Sequence, residues 1–553
     1  MKNIKIYLFA LLALSFAITS CDEEDALLAL VEEENPLPGE LTGAPGSFDF
    51  TKYVSIGNSL TAGYMDGALY NSGQANSFPA LLAQQLATTG IDGGDFNQPD
   101  INSDNGFASV GPNGILGRFE LSLSLLRPVP TVGEAPTAYG GDKSALNNFG
   151  VPGMRIVDVN DPGLVSNGLY ARFASNPGSS TVLNDAMAAS PTFFTYWLGN
   201  NDILGYAAGG GSNEAAITPT GDFQNALAQS LGTLVSGGAK GVVMTIPPIV
   251  LTPYFRAVPY NSIPVTSEGQ RDQLNAGFAG LNAALDGLVT LTNLGLVPGL
   301  NVTQAQADAR KVSYQVGANP ILMADDALPD YNRAGGEFDI LLGTGQITAA
   351  QRQALAPFGQ SRPATANDLP TLPAATQLGT TVGGNAAAII GVTVPATDNL
   401  ILSASEVQTV VVQSAIFNGT MAAVVAQVNA ASNNAITLVD VQPAFMDLAG
   451  VDAQTAASLV NPLQGAVPAL DPFLSSFQSA AIAAIDGEAG IRVNGVNLSP
   501  AFDPNGIMST DGVHPNPRGH GIVANLIIDA LNAAGANIPK VNVLALRGVI
   551  TTD

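Results

Sequence analysis

The sequence is poor in the residues on which several classes of protein depend. Its 553 residues include one cysteine, two histidines, and 20 lysines and arginines against 45 aspartates and glutamates. A single cysteine allows no intramolecular disulfide, and two histidines form no recognisable zinc set. The formal charge of −25 argues against nucleic-acid binding, which needs clustered cations to neutralise phosphates. We therefore expect no nucleic-acid partner and no zinc site.

Two common ligand-binding motifs are also missing. The sequence contains no EF-hand pattern for calcium and no glycine-rich phosphate loop of the Walker type. We expect neither a metal nor a cofactor. Apolar residues nevertheless make up 46% of the chain and charged residues only 12%. A chain of this length and composition can form a large core, as two domains or as one domain with large insertions.

The chain begins with a segment typical of a secretion signal. Lys2 and Lys5 precede an apolar run, residues 6–18, that is too short to span a bilayer comfortably. The residues ITSC that follow resemble the lipobox of bacterial lipoproteins, whose cysteine is lipidated and becomes the mature N-terminus, although Ser replaces the commoner Gly or Ala before it. We predict a lipoprotein signal peptide over 1–20 and lipidation of Cys21, which would anchor the protein in the cell envelope.

An acidic, proline-containing stretch follows the predicted lipidation site. Its composition predicts a flexible tether over 21–49. Acidic residues directly after a lipidated cysteine resemble a surface-export signal of some Gram-negative lipoproteins, whereas in others an aspartate at the position of Asp22 implies retention in the inner membrane. We predict the outer membrane and leave exposure at the cell surface open.

Apolar runs alternate with helical patterns through the rest of the chain. Continuous runs rich in β-branched and aromatic residues predict strands buried on both faces at 53–57, 192–199, 241–248 and 435–445. Amphipathic patterns between them predict helices, and the last of these ends at Gly535. Such alternation predicts an α/β fold with a central parallel sheet and helices on both faces.

Two segments interrupt this alternation. Between 255 and 400 a single helical pattern is followed by sequence rich in proline, alanine and threonine. We predict that 255–400 is an insertion lying over a core formed by 50–254 and 401–553. The segment 91–147 is similarly irregular and is a candidate for a second insertion.

A serine stands where the first predicted strand ends. In the stretch YVSIGNSLTAGY, Ser59 is either a turn residue or a nucleophile, and a nucleophilic serine needs a base to take its proton. His514 follows Asp511 by three residues, a spacing that lets the carboxylate orient the imidazole. His520 has no carboxylate at that spacing. The sequence therefore favours Ser59, His514 and Asp511 as a catalytic triad.

Acyl transfer also requires donors that stabilise an oxyanion. The stretch WLGNND offers Asn200 and Asn201 at the end of a predicted buried strand, and NNFGVPGM offers glycine amides in a tight loop. Taken alone, each of these segments is most often a turn. Asp202 either holds the loop that carries Asn201 or is itself a turn residue.

Together these segments resemble the blocks of the SGNH/GDSL hydrolase family. GNSL, NNFGVPG, LGNND and DGVHP resemble the first to last blocks in family order, with an asparagine before the serine where aspartate is usual. The resemblance implies an α/β three-layer sandwich with a central parallel sheet, of the SGNH-hydrolase, flavodoxin-like kind, enlarged by insertions. The catalytic residues that it implies are Ser59, Asp511 and His514. The oxyanion hole that it implies consists of Ser59, Gly153 and Asn201.

The resemblance implies a serine esterase or lipase-type acyl hydrolase that cleaves carboxylic esters through an acyl-enzyme. An α/β-hydrolase elbow is excluded, because Thr61 stands where Gly-x-Ser-x-Gly requires its second glycine. Two alternatives stay open: a non-catalytic surface binding lipoprotein on the same scaffold, and a carbohydrate O-acetylesterase. The expected partners are a small-molecule or glycan ester and, through the lipid on Cys21, a membrane.

Overall fold

The structure is a computed structural model that describes residues 42–90, 94–112, 114–125, 127–450 and 489–552. The predicted signal peptide, the lipidation site at Cys21 and most of the predicted tether lie outside the described residues. Residues 42–49, the end of that tether, already contact the core. Ala44 exchanges two backbone hydrogen bonds of 2.8 Å with Asn537, and the ring of Phe48 lies 6.0 Å from that of Phe193.

Five parallel strands form the central sheet. In chain order they are β1 (Tyr53–Gly57), β2 (Asn148–Gly150), β3 (Phe193–Trp197), β4 (Lys240–Met244) and β5 (Ile436–Val439). Their spatial order is β2-β1-β3-β4-β5. The chain leaves β1 on one side for β2 and returns on the other side for β3. Open α/β sheets form their binding crevices at such a switch point, outside the carboxyl ends of the strands.

Seven helices are numbered in chain order. Some flank the sheet, two begin at its carboxyl edge, and one lies in the insertion. They are α1 (Ser59–Ala62), α2 (Phe78–Ala87), α3 (Asn201–Ala208), α4 (Thr220–Ser236), α5 (Glu268–Asn293), α6 (Ala404–Ser432) and α7 (Pro517–Ala533). The other α-helices of the described residues span Asn71–Ala75, Gly168–Ala171, Val182–Ala188, Pro253–Arg256, Gln304–Arg310, Glu337–Gly343, Ala349–Leu355, Ala374–Gln377 and Gln442–Ala449.

Alternate residues of the strands pack against different helices. Val54 and Tyr196 belong to a buried cluster with α4 and α6. Tyr53 and Trp197 belong to a second cluster with α2 and α7. Because successive side chains of a strand point to opposite faces, the sheet carries helices on both sides. The predicted α/β class with a central parallel sheet is confirmed.

The predicted strands are present with two corrections. The run at 241–248 is a strand only as far as Met244, since Pro247 and Pro248 have no amide to donate to a sheet. The run at 435–445 is a strand only as far as Val439, and a helix begins at Gln442. Pro443 explains the change, because proline has no amide to donate to a sheet but suits the first turn of a helix.

The long helix α6 is a core helix. By length and composition it would also suit a membrane span, the one such helix in the described part of the chain. However, Phe417 and Met421 are fully buried, and the ring of Phe417 stacks on Phe223 of α4 with 4.2 Å between centroids. This apolar face packs within the α/β core.

The segment predicted as an insertion has a hydrophobic cluster of its own, which extends from Ile263 to Ile401. Its strands form three small antiparallel pairs: Ile263–Val265 with Gly317–Asn319, Leu322–Ala324 with Ser361–Pro363, and Leu369–Pro370 with Ile401–Leu402.

Short strands also occur outside the insertion. The irregular segment 91–147 contributes Ser109–Gly111, Gly114–Ser122 and Arg127–Val132 to a sheet that Thr551–Thr552 completes. A further pair joins Ile491–Val493 to Val496–Leu498.

Candidate active site

Ser59 lies at the carboxyl end of β1, beside the switch point of the sheet. It is the first residue of the short helix α1 and is only 7% exposed. Asn58 precedes it as the helix cap and accepts a hydrogen bond of 3.1 Å from the Leu60 amide through Oδ1. The asparagine that replaces the usual aspartate therefore still has a side-chain oxygen to cap the turn.

The three residues predicted as a triad form one hydrogen-bonded chain. The Oγ of Ser59 lies 2.8 Å from Nε2 of His514, and Nδ1 of His514 lies 2.9 Å from Oδ2 of Asp511. Because an ionised carboxylate can only accept, Nδ1 is the donor to Asp511. Nε2 is then the nitrogen that can accept the serine proton.

The Asp511 carboxylate is held by several donors. Its Oδ1 accepts from the amides of Val513 at 2.8 Å and His514 at 2.9 Å, and its Oδ2 also accepts from the Gly67 amide at 2.9 Å. Burial alone would raise the pKa of Asp511, but the charge of His514 and these hydrogen bonds lower it to about 2. The carboxylate is therefore ionised at neutral pH and can stabilise an imidazolium.

An aromatic side chain flanks the imidazole. The rings of Tyr64 and His514 are tilted, with 5.1 Å between their centroids. Burial and the nearby Asp511 raise the pKa of Tyr64, so its hydroxyl remains protonated and donates to the Gly67 carbonyl. The phenol thus shields one side of the imidazole without competing with Ser59 for Nε2.

The two other predicted oxyanion donors follow the strands on either side of β1, the strand that precedes Ser59. Gly153 follows β2 and Asn201 begins α3 after β3, so both lie at carboxyl ends next to β1. Within the described residues, the amides of Ser59 and Gly153 donate no hydrogen bond. One amide hydrogen of Asn201 binds the Met154 carbonyl at 3.0 Å, which leaves the second hydrogen for a ligand.

Asp202 connects the two donor segments. Its side chain is fully buried, and Oδ2 accepts from the Ile156 amide at 2.9 Å. Burial raises its pKa to about 6. The contact joins the start of α3 to the loop after Gly153, which favours the first of the two interpretations of this residue.

His520 is buried in α7 and does not contact Ser59. Its Nδ1 accepts from the Phe78 amide at 3.1 Å, and burial lowers its pKa to about 3. A neutral imidazole that joins α7 to α2 has a structural role, as the absence of a nearby carboxylate in the sequence suggested.

The triad loop is contacted at Gly512 by Tyr254, the last residue before the predicted insertion, and by Leu372 of the insertion itself. The Tyr254 amide donates to the Gly512 carbonyl at 2.9 Å, and the Leu372 amide donates to the Tyr254 carbonyl at 2.7 Å. The residues near 254 and 372 therefore form one wall beside the triad. Sequence patterns did not predict this wall or the contact of Gly67 with Asp511, although the dipeptide Asp66-Gly67 is a turn signal that marks the loop.

Among the residues that the structure describes, one group of carboxylates could hold a cation. Carboxylate oxygens of Asp326, Asp398 and Glu406 lie within 4.8 Å of one another, where the insertion meets the start of α6. Oxygen ligands of this kind suit calcium or magnesium.

The chain matches no protein-family model, no curated protein and no solved structure. We therefore infer the function of the protein from the geometry of the site.

Proposed function

We propose that the protein is a serine esterase of the SGNH/GDSL type that hydrolyses carboxylic esters. The observation that carries the proposal is the hydrogen-bonded chain from Ser59 Oγ through His514 to Asp511, with distances of 2.8 and 2.9 Å. A serine hydroxyl becomes an effective nucleophile when a positioned base removes its proton. The chain supplies that base and the carboxylate that orients it.

In the first half of the reaction, Ser59 Oγ attacks the ester carbonyl while its proton passes to His514 Nε2. The tetrahedral oxyanion accepts hydrogen bonds from the amides of Ser59 and Gly153 and from the free amide hydrogen of Asn201. His514 then gives the proton to the departing alkoxide. The products are an alcohol and an acyl-enzyme in which the acyl group is bonded to Ser59.

In the second half, a water molecule replaces the alcohol. His514 removes one proton of the water as its oxygen attacks the acyl carbon, and the same donors stabilise the second oxyanion. The bond to Ser59 breaks and Oγ recovers its proton from His514. Asp511 stays ionised throughout and stabilises the imidazolium that forms in each half.

The proposed mechanism fits several classes of ester, and the N-terminal sequence supports one cellular location. The groups around Ser59 would deacylate a lipid-like ester or an O-acetylated carbohydrate equally well, so the substrate is proposed only as a neutral carboxylic ester. The lipobox supports a location in the cell envelope, with the protein anchored in the outer membrane through a lipid on Cys21. The alternative of a non-catalytic binding lipoprotein predicts a Ser59 that does not react.

Covalent labelling tests the proposal directly. We expect a fluorophosphonate probe to label the folded protein at Ser59 and to abolish hydrolysis of p-nitrophenyl esters. Ser59→Ala should lose both labelling and turnover, whereas Ser236→Ala, at the exposed end of α4, should keep both. Removing a nucleophile that works with its base costs on the order of 10⁶-fold in kcat in serine hydrolases.

The same experiment distinguishes the rivals. A well-folded protein that the probe does not label would favour the binding lipoprotein, and hydrolysis that persists in Ser59→Ala would refute the serine mechanism. A comparison of acetyl, butyryl and octanoyl esters with acetylated xylan would then separate a general esterase from a carbohydrate O-acetylesterase.

A further inference from the structure

The catalytic carboxylate receives one hydrogen bond from a distant part of the chain. Three of the four donors to Asp511 belong to its own turn, but the fourth is the amide of Gly67, 444 positions earlier. Gly67 has a φ of +72°, and a Cβ there would stand 2.5 Å from the ring of Phe119. The position therefore requires glycine, and its amide direction is fixed by the surrounding packing.

The residue before Gly67 holds the other end of the triad loop. Asp66 is 1% exposed, and its Oδ1 accepts from both the amide and the hydroxyl of Thr510, at 3.0 and 2.9 Å. Thr510 directly precedes Asp511. Asp66 itself has a φ of +53°, an unfavourable conformation for a residue with a side chain, so the surrounding contacts must hold it there.

No cation contacts the Asp66 carboxylate among the described residues. Its Oδ2 accepts from the Tyr70 hydroxyl at 2.6 Å, and Arg547 donates to that hydroxyl at 2.8 Å. Arg118 lies over the Tyr70 ring at 5.4 Å, and the second nearby carboxylate is Asp511. The buried Asp66 carboxyl group is thus held by neutral donors beside the triad, and its burial raises its pKa.

We propose that Asp66 is a positioning residue of the triad, which fixes Thr510 through its side chain and Gly67 through its backbone and so aligns Asp511 with His514. The inference rests on the proposed esterase function. The positioning role of Asp66 differs from a general structural role because it affects one pair of atoms, the Nδ1 of His514 and the Oδ2 of Asp511. Loss of alignment should therefore change how well the imidazolium is stabilised during turnover.

Two variants separate the parts of this role. Asp66→Asn keeps an oxygen for Thr510 but loses the charge and the acceptor for Tyr70, whereas Asp66→Ala loses every side-chain contact. We expect kcat to fall in the order wild type, Asp66→Asn, Asp66→Ala, with a loss of up to about 10²-fold in the last and little change in KM. The acid limb of the kcat/KM profile should move to lower pH in both variants, because a displaced Asp511 carboxylate stabilises the protonated His514 less well.

A second buried aspartate provides a matched control. Asp185 is 9% exposed and also binds neutral donors, the Tyr170 hydroxyl at 3.0 Å and the Ser175 amide at 3.1 Å, but it does not contact the triad loop. Asp185→Ala should lower the melting temperature without moving the acid limb. If Asp185→Ala and Asp66→Ala change kcat and the limb alike, the positioning role is refuted.

The remaining outcomes are also decisive. A folded Asp66→Asn with wild-type kcat and an unmoved acid limb would overturn the proposal. Should Asp66→Ala fail to fold, Tyr70→Phe replaces it and should move the limb in the same direction. This variant removes the hydrogen bond to Oδ2 of Asp66 together with the one that Arg547 donates to the Tyr70 hydroxyl. Turnover by Ser59→Ala would instead refute the esterase function itself, so the two failures cannot be confused.

Discussion

Two adjacent asparagines show how strongly a site depends on the direction of a single side chain. Asn201 is partly exposed and is oriented by its hydrogen bond to Met154. Asn200 is 6% exposed, and neither its side-chain oxygen nor its nitrogen has a partner within the described residues. Only Asn201 is both fixed in direction and open towards a ligand. A donor that is already oriented stabilises an oxyanion without reorganising.

Replacing each asparagine should therefore give different results. Asn201→Ala removes an oriented donor, and we expect kcat to fall on the order of 10²–10³-fold while KM changes little. Asn200→Ala removes a side chain that makes no hydrogen bond and should have a much smaller effect on kcat. Steady-state kinetics with a p-nitrophenyl ester would measure both. Equal losses in the two variants would contradict the assignment of Asn201 to the oxyanion hole.

At the scale of elements, the insertion and the triad loop share a joint at Gly512. The pair of strands Leu369–Pro370 and Ile401–Leu402 brings Leu372 to Tyr254, which binds the Gly512 carbonyl. Gly512 has a φ of +74°, and a Cβ there would stand 2.9 Å from the Tyr254 nitrogen. Any side chain at this position must push the loop of Asp511 and His514 away from the insertion.

The substitution Gly512→Ala tests this joint. An alanine in the left-handed region costs about 1–2 kcal/mol, and the clash with Tyr254 should also displace the triad and lower kcat by up to about 10²-fold. Gly345→Ala is the matched control, because Gly345 has a φ of +72° with no atom within 4 Å of its Cβ position. Thermal unfolding should show a loss of stability in both variants, and kinetics a loss of activity only in the first. Full activity in Gly512→Ala would show that the joint does not position the triad.

The elements that the sequence predicts correctly are those with a strong local pattern. β1, β3 and β4 are continuous apolar runs because both of their faces are covered. Apolar stripes mark α4 and α7, and α6 is a long segment that is apolar around its circumference. The small sheet at 109–132 has no such pattern, since many of its residues are only half-buried and one of its strands, Thr551–Thr552, comes from the far end of the chain. Pairing over such a distance leaves no periodic signal in either segment.

At the scale of the whole molecule, the site depends on contacts that local sequence cannot specify. Ser59 and His514 are 455 positions apart in the sequence, yet Oγ of Ser59 lies 2.8 Å from Nε2 of His514. The order of the motifs implied this contact only through their resemblance to a known family. The support of Asp511 by Asp66 and Gly67 was not predicted, because a turn dipeptide does not indicate which distant loop it will contact. The motifs identify reactive groups, and the tertiary fold determines how they are held.

A second whole-molecule feature is the group of carboxylates between the insertion and α6. Asp326 and Asp398 come from the insertion, and Glu406 lies in the first turn of α6. Burial and the neighbouring carboxylates raise the pKa of Glu406 to about 7 and that of Asp398 to about 6. Glu406 also accepts from the Ser403 amide at 2.6 Å, which caps the helix.

These raised pKa values predict how stability depends on pH. The folded state binds protons more tightly than the unfolded state, whose carboxyl pKa values are about 4. The stabilisation from these groups is therefore complete below about pH 4 and is lost as the pH rises through the folded pKa of Glu406, about 7. Above that pH, repulsion between the carboxylates should weaken the contact between the insertion and the core.

Glu406→Gln should remove most of this dependence, since glutamine can still form the capping contact with Ser403 but carries no charge. We expect the fall in melting temperature between pH 5 and pH 8, measured in EDTA to exclude divalent cations, to be smaller than in the wild type. The variant should also be more stable than the wild type at pH 8. Glu268→Gln removes an equal charge from an exposed side chain at the start of α5 and should leave the wild-type dependence intact. An identical fall in both variants would assign the effect to net charge rather than to this junction.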